Sequence, residues 1–471
     1  MSNNRNDQRD TALKALVSRY EQNNSAKETI FLAQEEFEEL LVYYYGKHDF
    51  DRTLEVADLA ISQYTFTPEF YKWKALVHKI NLEEDASLAA LEKLSLYAPK
   101  DEEALMLRLE VLTHFEKAKD AREVLIYLQN NVEGNPKLSL LAFFDGLLLM
   151  QENRNEESWH ALREAVRLDA YQEPALDELL NAMEFEHQRT ELGKFFNYLL
   201  EEDPFNSLVW YYLGLWYDDD GREYKALEAF ANARSLDGSN PRYDLEYADK
   251  LFDLERYTTA LKVYASYFES GQAEENYETF MRVGRCYQLL GHIEEAKEAF
   301  FRAVKIDPEM YDIYQHLGEC FALQKKWGIA AYNYGRAVEQ VNHTAECWLG
   351  LAMCHAATNE PSEAERAFAR ARDMDENYSD ATIAYAIFLA DQGRESDALQ
   401  LITDSMEVYQ DGVLMYGAVA IYLLCNKRKR ALELLNDALS NYYDSNELLK
   451  EFYPEMEGDS EIRAIFSLYR P

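Results

Sequence analysis

The chain has 471 residues, of which 48% are hydrophobic and 28% charged, and it carries a formal charge of −38. A single compact core is excluded at this length, because cores stop growing near ~250–300 residues and longer chains divide into domains or run on as open arrays. A surface this acidic opposes nucleic acid and anionic lipid and favours basic partners.

Only 10 Pro and 18 Gly interrupt the chain, which favours helices over a loop-rich β fold. Tyrosines number 34 against 6 Trp, a bias that suits many similar helix–helix contacts with a hydroxyl at the surface. The five cysteines include no CxxC pair, which points to a reducing compartment. The N-terminus lacks an apolar signal core and no window approaches ~18 uninterrupted apolar residues. The expected location is cytoplasmic.

In chain order, residues 1–33 form a polar N-terminal segment with one short amphipathic stretch, Ala12-Leu13…Leu16-Val17…Tyr20. It is expected either to cap the first element or to extend as a free arm. Residues 34–206 carry weak copies of a helical repeat. One holds Leu179-Leu180, Leu192, Phe196 and Pro204; another holds Asp145-Gly146, Ser158, Leu162 and Ala165. Thr53, Ser87 and Leu192 stand where a small alanine is expected, so splayed or repacked pairs are predicted there.

Residues 207–445 hold the clear copies. Leu213-Gly214, Tyr217, Ala226, Phe230 and Ala233 recur as Val283-Gly284, Tyr287, Ala296, Phe300 and Ala303. They recur again as Leu317-Gly318, Phe321, Ala330, Tyr334 and Ala337, then as Leu351-Ala352, Ala364, Phe368 and Ala371. The last three copies keep a register of 34 residues, as 318 − 284 and 364 − 330 show. Gly214, Gly284 and Gly318 mark places on a first helix that a second helix approaches closely. Residues 446–471, with Leu448-Leu449, Phe452-Tyr453-Pro454 and Ile462…Ile465-Phe466, form a C-terminal cap, as the end of an array requires.

The pattern of aromatic, Leu-Gly, Tyr, Ala, Phe, Ala and Pro at these offsets resembles the tetratricopeptide repeat family. The resemblance implies an all-α, right-handed superhelical solenoid of about twelve helix-turn-helix repeats, with first helices on the concave face. The C-terminal Leu/Phe/Pro-Glu tail is similar to those of large bacterial tetratricopeptide proteins, notably of the Bacteroidetes.

No enzyme signature is present: GxSxG, P-loop, HExxH and dinucleotide fingerprints are all missing. The chain is therefore expected not to be an enzyme and to need no cofactor. Cys286, Cys320 and Cys354, spaced 34 apart, fall where the family places a small buried residue. One alternative is a metal- or redox-responsive regulator using His316, Cys320, His343 and Cys347, since His and Cys at i, i+4 share a helix face. Another is a self-assembling structural protein.

The expected functional surface is the face of the first helices. Periodicity places Asp177, Asn181 and Glu184 there, then Tyr211, Leu215, Asp218 and Asp219, then Leu245, Asp249 and Asp253, then Met281 and Arg285. This acidic-aromatic groove suits a basic or amphipathic protein segment. The family's chaperone-tail binders hold a carboxylate with Lys, Asn and Arg. The corresponding places here hold Asp177, Asn181, Tyr211, Leu215 and Asp249, of which only Asn181 fits. The resulting expectation is a non-enzymatic scaffold for a protein partner.

Overall fold

The computed structural model describes residues 3–26, 30–182, 186–271, 273, 275–375 and 378–469. Among them the chain is helical without a strand, and it divides into two compact units, Met1–Asp237 and Gly238–Pro471. The sequence boundary at 206/207 falls inside the first unit.

Unit 1 opens with α1 (Asn3–Ala26), followed by α2/α3 (Gln34–Tyr45, Phe50–Gln63) and α4/α5 (Pro68–Ile80, Glu84–Tyr97). Next come α6/α7 (Glu102–His114, Ala118–Asn131) and α8/α9 (Asn135–Gln151, Asn155–Leu168). The unit closes with α10/α11 (Glu173–Asn181, Glu186–Glu202) and α12/α13 (Ser207–Asp219, Glu223–Leu236).

Unit 2 contains α14/α15 (Pro241–Asp253, Tyr257–Glu269), α16/α17 (Tyr277–Leu289, Ile293–Ile306) and α18/α19 (Tyr311–Leu323, Trp327–Glu339). It continues through α20/α21 (Ala345–Ala357, Pro361–Met374), α22/α23 (Ser379–Asp391, Glu395–Val408) and α24/α25 (Gly412–Leu424, Arg428–Asn441). It ends with α26 (Leu448–Phe452) and α27 (Ser460–Tyr469). The described residues thus hold twelve helix pairs, a helical repeat solenoid.

The described turns within pairs are built alike. The first helix of α4/α5 ends with Leu82 in the left-handed region at φ 60°, and the Glu83 N–H reaches back to the His78 carbonyl at 2.8 Å. This closure satisfies carbonyls that the helix end would leave unpaired. His48, Glu116, Glu255, Lys325 and Asn426 repeat it, with Gly221, Gly291 and Gly393 taking the same place in other pairs.

Inside a pair, the aromatic ring of the second helix rests on the glycine of the first. A Cβ at Gly214 would lie 2.5 Å from the Phe230 ring, and one at Gly284 would lie 2.5 Å from the Phe300 ring. Ala226, Ala296, Ala330 and Ala364 are fully buried opposite them.

The pairs of 34–206 keep this arrangement by a different device. Ser87 donates to the Ala75 carbonyl and Ser158 to the Gly146 carbonyl, each at 2.8 Å across its pair, while Thr53 donates to Asp49 at 2.7 Å within its own. Burying a hydroxyl costs little when its bond is made, so these positions are close-packed, not splayed.

The termini of the array are covered. Leu16, Val17 and Tyr20 of α1 are buried with Phe37, Leu40 and Tyr44 of α2, so α1 is a cap of 24 residues, longer than the short stretch expected and not a free arm. At the other end Leu449 and Ile462 join the core of α24 and α25. Arg428 forms two bonds, at 2.7 and 2.8 Å, to Asp459 at the start of α27.

Candidate functional site

The predicted face divides between the units. In unit 1, Asp177 and Asn181 on α10 and Asp218 and Asp219 on α12 are exposed, and Leu215 is half-buried. Asp177 accepts the Tyr212 hydroxyl, and Asp219 pairs with Arg189 at 2.9 Å. Tyr211 departs from expectation: it is 4% exposed, with its ring 6.0 Å from that of Phe230. It is a packing residue, because the aromatic neighbour that covers Gly214 also covers Tyr211. Glu184 lies outside the described residues.

In unit 2 the structure gathers Leu245, Asp249, Asp253, Met281 and Arg285 around one open cavity of about 750 Å³. Met281 is buried at its wall, not displayed as a free anchor. Helices α14, α16, α18 and α20 supply the lining, and successive first helices in this series touch one another. Five carboxylates (Asp249, Asp253, Glu278, Asp312, Glu346) face two guanidiniums (Arg282, Arg285), with the aromatic residues Phe252, Tyr277 and Tyr311 between them.

The carboxylates are held in place. Asp249 accepts the Tyr264 hydroxyl at 2.5 Å, and Arg282 spans Asp249 at 3.7 Å and Asp253 at 3.4 Å. Burial pushes the Asp249 carboxyl above the usual range, against the pull of Tyr264 and Arg282. Arg285 lies over the Phe252 ring at 5.5 Å. Deeper in the series, burial pushes Glu319 up, but bonds from His316, Gln288 and Gln315 outweigh it and hold the carboxyl below its ordinary value.

Sequence periodicity did not select Arg282, Tyr277, Tyr311 or His316. A groove stripe is wider than one residue per turn, so Arg282 shares the wall with Met281; the signal was the breadth of that stripe. A second, larger cavity of about 890 Å³ lies on α4, α6, α8 and α10, where no site residue was predicted apart from neighbours of Glu178. Its mark in the sequence is α8, LSLLAFFDGLLLM, apolar on more faces than one packing contact uses.

The four residues of the metal alternative are not brought together, and among the described residues no group of three or more His, Cys, Asp or Glu could hold a metal ion. His343 bonds the Gln340 carbonyl at 2.8 Å, His316 bonds Glu319 at 2.9 Å, and Cys347 donates to Gln315 at 3.2 Å. Cys286, Cys320 and Cys354 are buried packing residues, as their spacing implied. Burial pushes the first two thiols up to about 12 and the third to about 11. His355 is half-buried and bonds Glu360 at 2.6 Å.

Paired helices on a 34-residue register, closed by glycine–aromatic contacts, define this chain as a tetratricopeptide-repeat protein. Residues 225–453, just under half of the chain, match the family described as the cilia and flagella-associated protein 70 C-terminal domain. No curated protein matches. Among solved structures, the chain is similar to the Cut9–Hcn1 hetero-tetramer of the APC/C at 13% identity, covering 85% of this chain and 97% of that one, with a TM-score of 0.38. A tetratricopeptide repeat protein from Parabacteroides merdae matches at 18% identity over 55% of this chain and 98% of that one, with a TM-score of 0.42. Pseudomonas aeruginosa pilF matches at 14% identity over 55% of this chain and 100% of that one, with a TM-score of 0.38. A bacterial origin, suggested by the C-terminal tail, is not shown by these matches. No helix among the described residues is long and apolar enough to cross a membrane. Folds of this class generally serve as protein–protein interaction scaffolds, because stacked repeats offer an extended binding surface.

Proposed function

We propose that the chain is a non-enzymatic scaffold whose unit 2 groove holds a basic, partly apolar segment of a partner protein. The observation that carries this reading is the lining of the 750 Å³ cavity, where five carboxylates outnumber two guanidiniums and aromatic residues stand between them. Opposite charge steers the segment in and fixes its register, while Phe252, Tyr277 and Tyr311 receive its apolar side chains. Asp249, Asp253 and Arg282 form a pre-set cluster, so the groove loses little side-chain freedom when it is filled. In unit 1, Asp177, Asn181, Leu215, Asp218 and Asp219 extend the same chemistry as a lesser contact surface. The five cysteines are free and buried, which fits a reducing compartment and a cytoplasmic location.

The test is affinity capture from native extract with the wild-type chain and with an Asp253→Lys/Glu278→Lys/Asp312→Lys variant of unchanged helicity. A partner recovered by the first and lost by the second supports the groove. Equal recovery would sink it.

A further inference from the structure

The 890 Å³ cavity belongs to unit 1, and its floor is a stripe with a recognisable period. On α8, Leu140, Phe143, Leu147 and Met150 line it at spacings of three, four and three residues. That is the a/d rhythm by which one helix offers a seam to another. All four are half-buried: Leu140, Phe143 and Leu147 rest on the core of α6 and α7 along one side and leave the other side open to the trough. The adjoining side of the same helix is consumed: Leu141, Phe144 and Leu148 are buried in a core with α6 and α7. Helix α8 therefore carries one broad apolar surface, covered along one side and half-open along the other. Met106 and Leu107 of α6, also half-buried, widen the stripe into a trough. Two methionines at its margins can adjust to different apolar partners.

The rim sets the charge of an occupant. Glu102, Glu103, Glu110, Glu116 and Glu178 line the trough against Lys79 and Lys137, three more carboxylates than ammonium groups. Both lysines are spoken for, Lys137 by Glu102 at 2.5 Å and Lys79 by Glu110. Burial, with the nearby Asp177 charge, pushes the Glu178 carboxyl up, so a cation placed beside it would be favoured. An anionic amphiphile such as a fatty acid would meet this rim with its headgroup and be repelled.

We propose that the α6/α8 trough is a second docking site, separate from the unit 2 groove, and that it takes an amphipathic helix of a partner protein with an a/d apolar seam and basic flanks. The seam would lie along Leu140, Phe143, Leu147 and Met150, and the flanks would face Glu103, Glu116 and Glu178. An extended peptide, whose side chains alternate every two residues, does not match the three-four spacing. A helix matches it turn by turn.

The probe is a labelled 21-residue peptide of three heptads with Leu at a and d and Lys at e and g, held at nanomolar concentration so that its like-charged flanks and dilution keep it from pairing with itself. Fluorescence anisotropy with the full chain at physiological salt reads its affinity. Binding is expected to fall at least tenfold for a sequence-scrambled peptide of the same composition, and at least tenfold for a peptide with Glu at e and g. Phe143→Asp/Leu147→Asp is expected to cost at least tenfold. Glu103→Lys/Glu116→Lys, at exposed positions outside the core, with Glu103 giving up its 3.0 Å pair with Lys72, is expected to cost several-fold at unchanged helicity and covers the case in which the first variant fails to fold. All titrations are run in an Asp253→Lys/Glu278→Lys background, which repels the same basic peptide from the unit 2 groove, so the binding that remains belongs to the trough. Equal binding of the scrambled peptide, no binding of the Lys peptide in that background, preference for the Glu peptide or for a fatty-acid probe, or indifference to Glu103→Lys/Glu116→Lys would each overturn the proposal.

Discussion

Gly284 and Phe300 form one contact in which the absence of a side chain is what allows the ring to sit. A Cβ on Gly284 would fall 2.5 Å from the ring Cε1 and 2.6 Å from Cδ1, well inside contact distance. Phe300 is fully buried and cannot swing away. Gly284→Ala is therefore expected to cost about 1–3 kcal/mol through overpacking. Phe300→Ala would cost about 3–5 kcal/mol through the cavity it leaves. Because arrays open locally, the readout is hydrogen exchange of α16 and α17. Partial recovery of protection in Gly284→Ala/Phe300→Leu is expected, since the smaller side chain vacates the space the new Cβ needs.

The thiols provide a second check. With Cys286 and Cys320 pushed up to about 12 and all five cysteines buried, a disulfide-exchange reagent at pH 8 should find almost no reactive thiol in the native chain and five after denaturation. Elemental analysis should find no stoichiometric zinc, since His316, His343 and Cys347 have separate partners and Cys320 is fully buried. One fast-reacting cysteine in native protein would contradict the packing role.

The C-terminal cap should respond to acid. Arg428, followed by the N–H groups of Ile462 and Glu461, holds the Asp459 carboxyl down to about 2, below the ~3.9 of an unfolded aspartate. A depressed carboxyl stabilises the folded state above its unfolded value and loses that contribution as pH falls through its folded value. Protection of α27 against proteolysis should therefore decline between about pH 4 and pH 2. Asp459→Ala should remove about 0.5–2 kcal/mol of local stability at neutral pH, the cost of a lost helix cap. It should also flatten the decline.

Leu82 offers a gain. It is 71% exposed and sits at φ 60°, where a side chain crowds the following carbonyl. Leu82→Gly should relieve ~1–2 kcal/mol of strain, partly offset by the ~0.5–1 kcal/mol that glycine's freedom in the unfolded chain takes back. A net rise of up to about 1 kcal/mol in α4/α5, read by hydrogen exchange, is expected. A loss would show that the Leu82 side chain makes a contact of value.

The fold was legible wherever a residue type has one physical use. Glycine opposite an aromatic and alanine at the close approach recur on a fixed register, and they located the pairs of 207–445. The earlier pairs were obscured because Ser87 and Ser158 do alanine's work by bonding a backbone carbonyl, and polarity alone reads as exposure. The length of α1 was hidden in the same way, since most of its surface is polar. For the groove, periodicity found Asp249 and Asp253 but placed Tyr211 outward, because a 3.6-residue period gives direction without saying how much neighbouring bulk stands there. The α8 seam was passed over because a helix with one broad apolar surface looks like core when its neighbours are unknown.

The proposed binding surface is the face of the first helices of unit 2. Hydrogen exchange of the full chain with and without the captured partner segment tests this directly. Added protection should fall on α14, α16 and α18, around Asp253, Glu278 and Asp312. Protection confined to α15, α17 and α19, with the first helices unchanged, would contradict it.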